Sequence, residues 1–180
     1  MTLDGQGTKE DPYIIETGRQ LLIIRHYPDA YFLQTADIDL EELAFKDAKL
    51  PISNQTLDDN YFSGVYDGGN NKIYNLKLEM RDQTLIGLFG VLKNKALIKN
   101  LHLVNVSING YLDRQLYKER NNGAILNSES KGEIRGKKRA GGLAGFNYGL
   151  ISNCSSSARI SPGEYFVGQE IGADFSSVDK

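Results

Sequence analysis

An all-β solenoid of stacked coils is the fold that this 180-residue sequence predicts. Three observations carry the prediction. The triplet Ile-x-Asn returns four times, as Ile73-Tyr74-Asn75, Ile98-Lys99-Asn100, Ile125-Leu126-Asn127 and Ile151-Ser152-Asn153, at intervals of 25, 27 and 26 residues. A Gly-Leu-x-Gly signature recurs as Gly87-Leu88-Phe89-Gly90 and Gly142-Leu143-Ala144-Gly145, with a blurred copy at Gly168-Gln169-Glu170-Ile171-Gly172. Each triplet is followed by a short strand-like stretch: Leu76-Lys77-Leu78, Leu101-His102-Leu103, Ser128-Glu129-Ser130 and Cys154-Ser155-Ser156. A near-constant period of this length marks units that bury their apolar faces only against their neighbours.

In chain order, a polar, glycine-containing start leads into Tyr13-Ile14-Ile15, a first strand. Thr17 then precedes Gly18 to His26, a short helix with Thr17 as its N-cap, stopped before Pro28. Such a helix would cover the open edge of the first coil. Tyr31-Phe32-Leu33-Gln34 and Ile38-Asp39-Leu40 are the next strands, residues 41–60 a loop, and Asp67-Gly68-Gly69-Asn70-Asn71 a turn. One domain is expected: cap and first strands over 1–61, repeat coils over 62–175 and a polar tail over 176–180. The recurring asparagines Asn75, Asn100, Asn127 and Asn153 are assigned a structural role, their amides pairing from coil to coil as one ladder. Inward positions shrink from leucine to serine and cysteine along the repeats, so the later coils should be narrower or flatter.

Composition narrows the function classes. Twenty-one basic residues against 23 acidic ones give a net charge of −2, no basis for general binding to nucleic acid or anionic membrane. No apolar window approaches the ~18 residues of a membrane helix, and no basic leader precedes the first strand, so a cytoplasmic location is expected. The single cysteine, Cys154, has no partner for an internal disulfide and is read as a small packing residue.

The stretch Gly142-Leu143-Ala144-Gly145-Phe146-Asn147-Tyr148-Gly149-Leu150-Ile151-Ser152-Asn153-Cys154 resembles the GLUG-type repeat of bacterial surface and secreted proteins, immunoglobulin-A proteases among them. The segments Gly7-Thr8, Asp11 to Ile15, Asp37 to Leu40 and Phe62 to Gly68 are similar to the cap that often precedes such repeats. The resemblance implies a right-handed parallel β-helix, here of about five coils, so roughly 24 Å of stack at ~4.8 Å per coil. The coil containing Asn127 lacks its glycine corner and carries the charged, aromatic insertion 111–120 instead. The degenerate last corner suggests a stack ending near residue 175, and hence a complete small solenoid.

No catalytic constellation assembles. His26 falls in the cap helix and His102 on an outward strand position, neither in a metal-ligand spacing. Asp37, Asp39, Glu41, Glu42, Asp47, Asp58 and Asp59 gather near the cap without recurring from coil to coil. No cofactor, metal or catalytic residue is therefore assigned. The binding residues assigned are Tyr111, Leu112, Arg114, Leu116, Tyr117 and Arg120 of the insertion, because tyrosine and arginine tend to dominate interface energies. Lys137, Lys138 and Arg139 join them from the stretch 131–139, where five basic residues face one glutamate across a presumed solvated corner. The expected function is a non-catalytic, monomeric module for one protein partner, on the pattern of an immunity protein that covers a toxin domain. Rival readings are a fragment of a secreted or surface adhesin and a carbohydrate-active enzyme of the β-helix type.

Overall fold

The computed structural model describes residues 2–41, 43, 61–80, 87–93, 95–110, 123–136, 138–140, 149–157, 159–160 and 165–167. The first strand, β1 (Tyr13–Ile15), leads into helix α1 (Gly18–Ile23) and a single 3-10 turn, Ile24–His26. Strands β2 (Tyr31–Gln34), β3 (Ile38–Asp39), β4 (Val65–Asp67), β5 (Lys72–Tyr74), β6 (Lys77–Met80), β7 (Leu97–Lys99) and β8 (His102–Gly110) follow. The last are β9 (Ala124–Leu126), β10 (Glu129–Gly136), β11 (Lys138–Ala140), β12 (Ile151–Ser152), β13 (Ser155–Ser156), β14 (Arg159–Ile160) and β15 (Tyr165–Val167). Every pairing between them is parallel.

Parallel neighbours need long connections, and here the connection is a visit to a second sheet. The first sheet runs β1-β2-β4-β7-β9-β12 and the second β13-β10-β8-β5-β3, with β6 on β8 and β14 on β10, so from β2 to β10 the chain shuttles between the two, while β11 and β15 pair in a separate two-stranded sheet. The second sheet bends within its strands. The first half of β8 pairs with β5 and its second half with β6, and Asn105 sits at the bend with φ 57°. In β10 the bend falls at Gly132, where the register against β8 slips by one residue. Its φ of 149° and a Val106 carbonyl oxygen 2.2 Å from where a Cβ would stand leave room for glycine alone.

Inward side chains stack by identity of role. Phe32, Tyr66, Ile98 and Ile125 form one buried row in the first sheet, and Ile38, Ile73, Leu103 and Ser130 the matching row in the second. Buried Phe62 and Phe89 pack on the first of these rows, against Phe32 and Tyr66, with their own ring centroids 4.9 Å apart. Buried Tyr66 donates its hydroxyl to Gln34 Oε1 at 2.9 Å, and Gln34 Nε2 in turn donates to the carbonyls of Ala36 and Lys72. Burial, with the charge of Asp67 beside it, holds the Tyr66 phenol protonated far above the ordinary tyrosine range.

The cap matches its prediction closely. Thr17 Oγ1 accepts from the Gln20 backbone and Gln20 Oε1 accepts from the Thr17 backbone, a reciprocal capping box that starts α1. Leu21 and Ile24 of this segment are buried with Ile15, Ile38 and Leu40. The repeat frame needs one correction. Ile98, Ile125 and Ile151 lie in register in the first sheet, but Ile73 lies in the second, against Ile38 and Leu103. Tyr66, not Ile73, is the residue beside Ile98. The stretch Leu76-Lys77-Leu78 correspondingly stacks on the second half of β8 and not on Leu101-His102-Leu103. The basic stretch also departs from expectation, since β10 and β11 occupy most of it as strands in place of a corner. Of the glycine corners, Gly87–Gly90 is described and buried, while all of 142–145 and of 168–172 lie outside the described residues, as do most of the loop 41–60 and the tail 176–180.

Candidate binding face and its polar corners

The asparagines stand at corners because of their backbone first. Asn75, Asn100, Asn127 and Asn153 have φ of 59°, 53°, 49° and 52°, the left-handed region that asparagine tolerates best after glycine. Their amides form two ladders, not one. In the first, Asn75 Nδ2 donates to Asp39 Oδ1 at 2.8 Å and Asn105 Nδ2 donates to Asn75 Oδ1. In the second, Asn100 Nδ2 donates to Asp67 Oδ1 at 2.9 Å, Asn127 to Asn100 at 3.4 Å, and Asn153 to Asn127 at 2.8 Å. Asn105, Asn127 and Asn153 are exposed, so corner conformation outweighs buried-amide pairing as the reason for asparagine.

Each ladder begins on an aspartate. Partial burial works against the Asp67 anion, but Lys99 Nζ at 2.7 Å, the Asn100 amide and the Gly69 N–H outweigh it and lower its pKa. Asp39 is lowered as well, through the hydrogen bonds from Asn75 and the Glu41 N–H. An ionised carboxylate only accepts, so it obliges the first asparagine to present Nδ2 and every later one to follow.

The two outward faces differ in kind. On the second sheet, Asp37 accepts from the Lys72 N–H at 2.8 Å, His102 Nδ1 lies 3.6 Å from Glu129 Oε2, and Lys131 Nζ lies 2.7 Å from Glu129 Oε1. Hydrogen bonding from Lys131 lowers the Glu129 pKa. The first sheet presents two rows in register: Tyr31, Val65, Leu97 and Ala124, and beside them Ile14, Leu33, Asp67, Lys99 and Leu126. All are half-buried, and Leu150 at the end of the first row is 58% exposed. Among the described residues, this first-sheet face is mostly aliphatic, broken by the Asp67–Lys99 pair and by exposed Ser152 beside Leu126, and has apolar area to gain from a partner.

Sequence reasoning missed this face. Its signal was present in Leu97-Ile98-Lys99 and Ala124-Ile125-Leu126, where an inward isoleucine forces its apolar neighbours outward. Of the binding residues expected, Tyr111, Leu112, Arg114, Leu116, Tyr117, Arg120 and Lys137 lie outside the described residues, while Lys138 and Arg139 belong to β11, paired with β15. The acidic residues near the cap divide likewise: Glu42, Asp47, Asp58 and Asp59 lie outside, and Asp37 and Asp39 hold backbone and ladder groups. Glu16, Asp37 and Asp39 with Arg19 do line a cleft of about 350 Å³ beside α1. Among the described residues, no group of three or more histidine, cysteine and acidic side chains is placed to hold a metal ion. No helix among them is long and apolar enough to cross a membrane.

Two parallel sheets wound by one chain, with recurring corners, define a stacked-repeat protein. Residues 138–161 match the GLUG motif, and the chain is a GLUG-type repeat protein. It is 35% identical over 149 residues to halomucin of Haloquadratum walsbyi, covering 78% of this chain and 2% of that protein. It is 32% identical over 154 residues to a protein of Evansella cellulosilytica assigned as a Gly-rich membrane protein, covering 84% of this chain and 15% of that one. Among solved structures it is similar to a Bacteroides ovatus chain assigned as an immunoglobulin A1 protease, with a TM-score of 0.66 and 28% identity, over 86% of this chain and 49% of that one. The chain thus spans a small part of the curated relatives it matches.

Proposed function

We propose that this chain is a non-catalytic, protein-binding module of the adhesin type, built as a right-handed parallel β-helix of about five coils and displayed outside the cell. The carrying observation is the contrast between its two outward faces, one aliphatic and one charge-paired. An aliphatic face with Tyr31 as its aromatic member suits a protein surface better than a sugar, which stacks on aromatic rings and bonds to polar groups. The alternation of strands between two parallel sheets supports the β-helix reading. The relatives' names support display at the surface, and the cytoplasmic expectation gives way to its alternative. The insertion 111–120, one of the features behind the toxin-neutralising reading, lies outside the described residues, and the relatives' names favour the adhesin reading instead.

The experiment places a photo-crosslinking amino acid at Leu97 on the first sheet or at Ser107 on the second, in the source organism. Crosslinking to protein from position 97 and not from 107, in a product removed by protease added to intact cells, is expected. Equal crosslinking from both, or a product that protease cannot reach, would reject the reading.

A further inference from the structure

The first ladder stops at Asn105, and the register says why. Asn105 Nδ2 donates to Asn75 Oδ1, and Asn75 Nδ2 to Asp39, one coil at a time. The next strand of the sheet, β10, skips the position that would continue the series. Leu103 lies opposite Ser130 and Val106 opposite Gly132, so β8 has Val104 and Asn105 where β10 has Lys131 alone. The residue after Lys131 is Gly132, which has no side chain to stand over the corner. Asn105 and Ser107 are both exposed, while Val106 between them is buried. Corner conformation accounts for an asparagine at position 105, where φ is 57°. It does not account for a hydroxyl two residues on, since the corners at Asn75, Asn100 and Asn127 have Lys77, His102 and Glu129 there.

Asn105-Val106-Ser107 is an Asn-x-Ser triplet, the acceptor form for N-linked sugar in exported chains. We propose that Asn105 is an N-glycosylation site, modified at Nδ2 by a glycan carried on a polyprenyl phosphate or diphosphate. Because it requires export, the modification rests on the reading that the chain is displayed outside the cell. In the transfer, Nδ2 bonds to the anomeric carbon of the first sugar. The bond from that carbon to the phosphate oxygen breaks, and Nδ2 loses one proton. Glycosyl-asparagine and the polyprenyl phosphate or diphosphate are the products, and nothing is oxidised or reduced. An amide nitrogen carries two N–H groups, so one remains to donate to Asn75 after the other is replaced. The skipped position in β10 leaves room for the sugar outside the second sheet. The first-sheet face is left to its partner, because Asn105 belongs to β8 of the other sheet. The triplet recurs at Asn54-Gln55-Thr56, outside the described residues, and at Asn153-Cys154-Ser155, which residues outside the described ones soon follow. Asn105 is the one whose neighbours on both adjoining coils are described.

The test recovers the chain from its source organism after a membrane-impermeant biotin reagent has been applied to intact cells. Tryptic peptides are then fragmented by electron transfer, which keeps sugars attached. Added glycan mass is expected on Asn105, and on neither Asn100 nor Asn109 of the same stretch 100–114. It should be retained in Ser107→Thr and lost in Ser107→Ala. Ser107→Ala leaves Asn105 and its ladder bond in place, so loss of the sugar reports recognition of the triplet. Biotinylated chain with Asn105 unmodified, or a modification that survives Ser107→Ala, would overturn the proposal and leave the display reading standing. A chain that the reagent labels only after the cells are lysed would overturn both.

Discussion

At the scale of single residues, corner asparagines do two things that substitution can separate. Asn127→Gly keeps the left-handed backbone and removes the amide with both its ladder bonds, so its loss should be about 1–2 kcal/mol, the net worth of two exposed hydrogen bonds. Asn127→Ala should lose a further ~1–2 kcal/mol, because alanine also strains the φ of 49°. Urea unfolding of the two variants measures the difference, and equal losses would mean that the corner conformation is unimportant. The carboxylate at the ladder's start gives a pH dependence. Asp67 has a lowered pKa in the folded chain, so its contribution is complete above the unfolded aspartate value of about 3.9 and fades as pH falls through its lower folded value. Thermal unfolding from pH 6 to pH 2 should therefore show a steeper acid decline for the native chain than for Asp67→Asn. The asparagine positions were legible in the sequence, but their division into two ladders was not. Ile73 happens to stand 25 residues before Ile98, close enough to the true spacing to imitate it, though it faces the other sheet.

At the scale of elements, the cap was legible almost to the residue, because local chemistry alone specifies it. Thr17 and Gln20 stand three apart, the spacing of a capping box, and Pro28 bars continuation. Thr17→Ala should cost about 1 kcal/mol by removing the N-cap acceptor, read as a lower denaturation midpoint at unchanged slope. The long strands were less legible. β8 runs through its own corner at Asn105, and β10 does so at Gly132, so the basic stretch expected at a corner became strand. Gly132→Ala should be far more damaging than the cap change, since its Cβ would meet the Val106 backbone at 2.2 Å. A soluble, cooperatively folded Gly132→Ala protein of native stability would contradict this register.

At the scale of the whole molecule, the stacked class was readable from period alone, whereas the binding face was not. A period states which residues share a row, and only the topology states which rows look outward together. Tyr31, Val65 and Leu97 come from three separate stretches of sequence and meet as neighbours only through parallel register. The measurement that tests the account most directly is adhesion of beads coated with the chain to cells of the source organism, before and after those cells are stripped with protease. The account predicts adhesion that protease abolishes, that Leu97→Ser with Leu126→Ser on the first sheet abolishes, and that Lys72→Ser with Ser107→Ala on the second leaves intact. Adhesion that survives protease, or that follows the second-sheet pair, would contradict it.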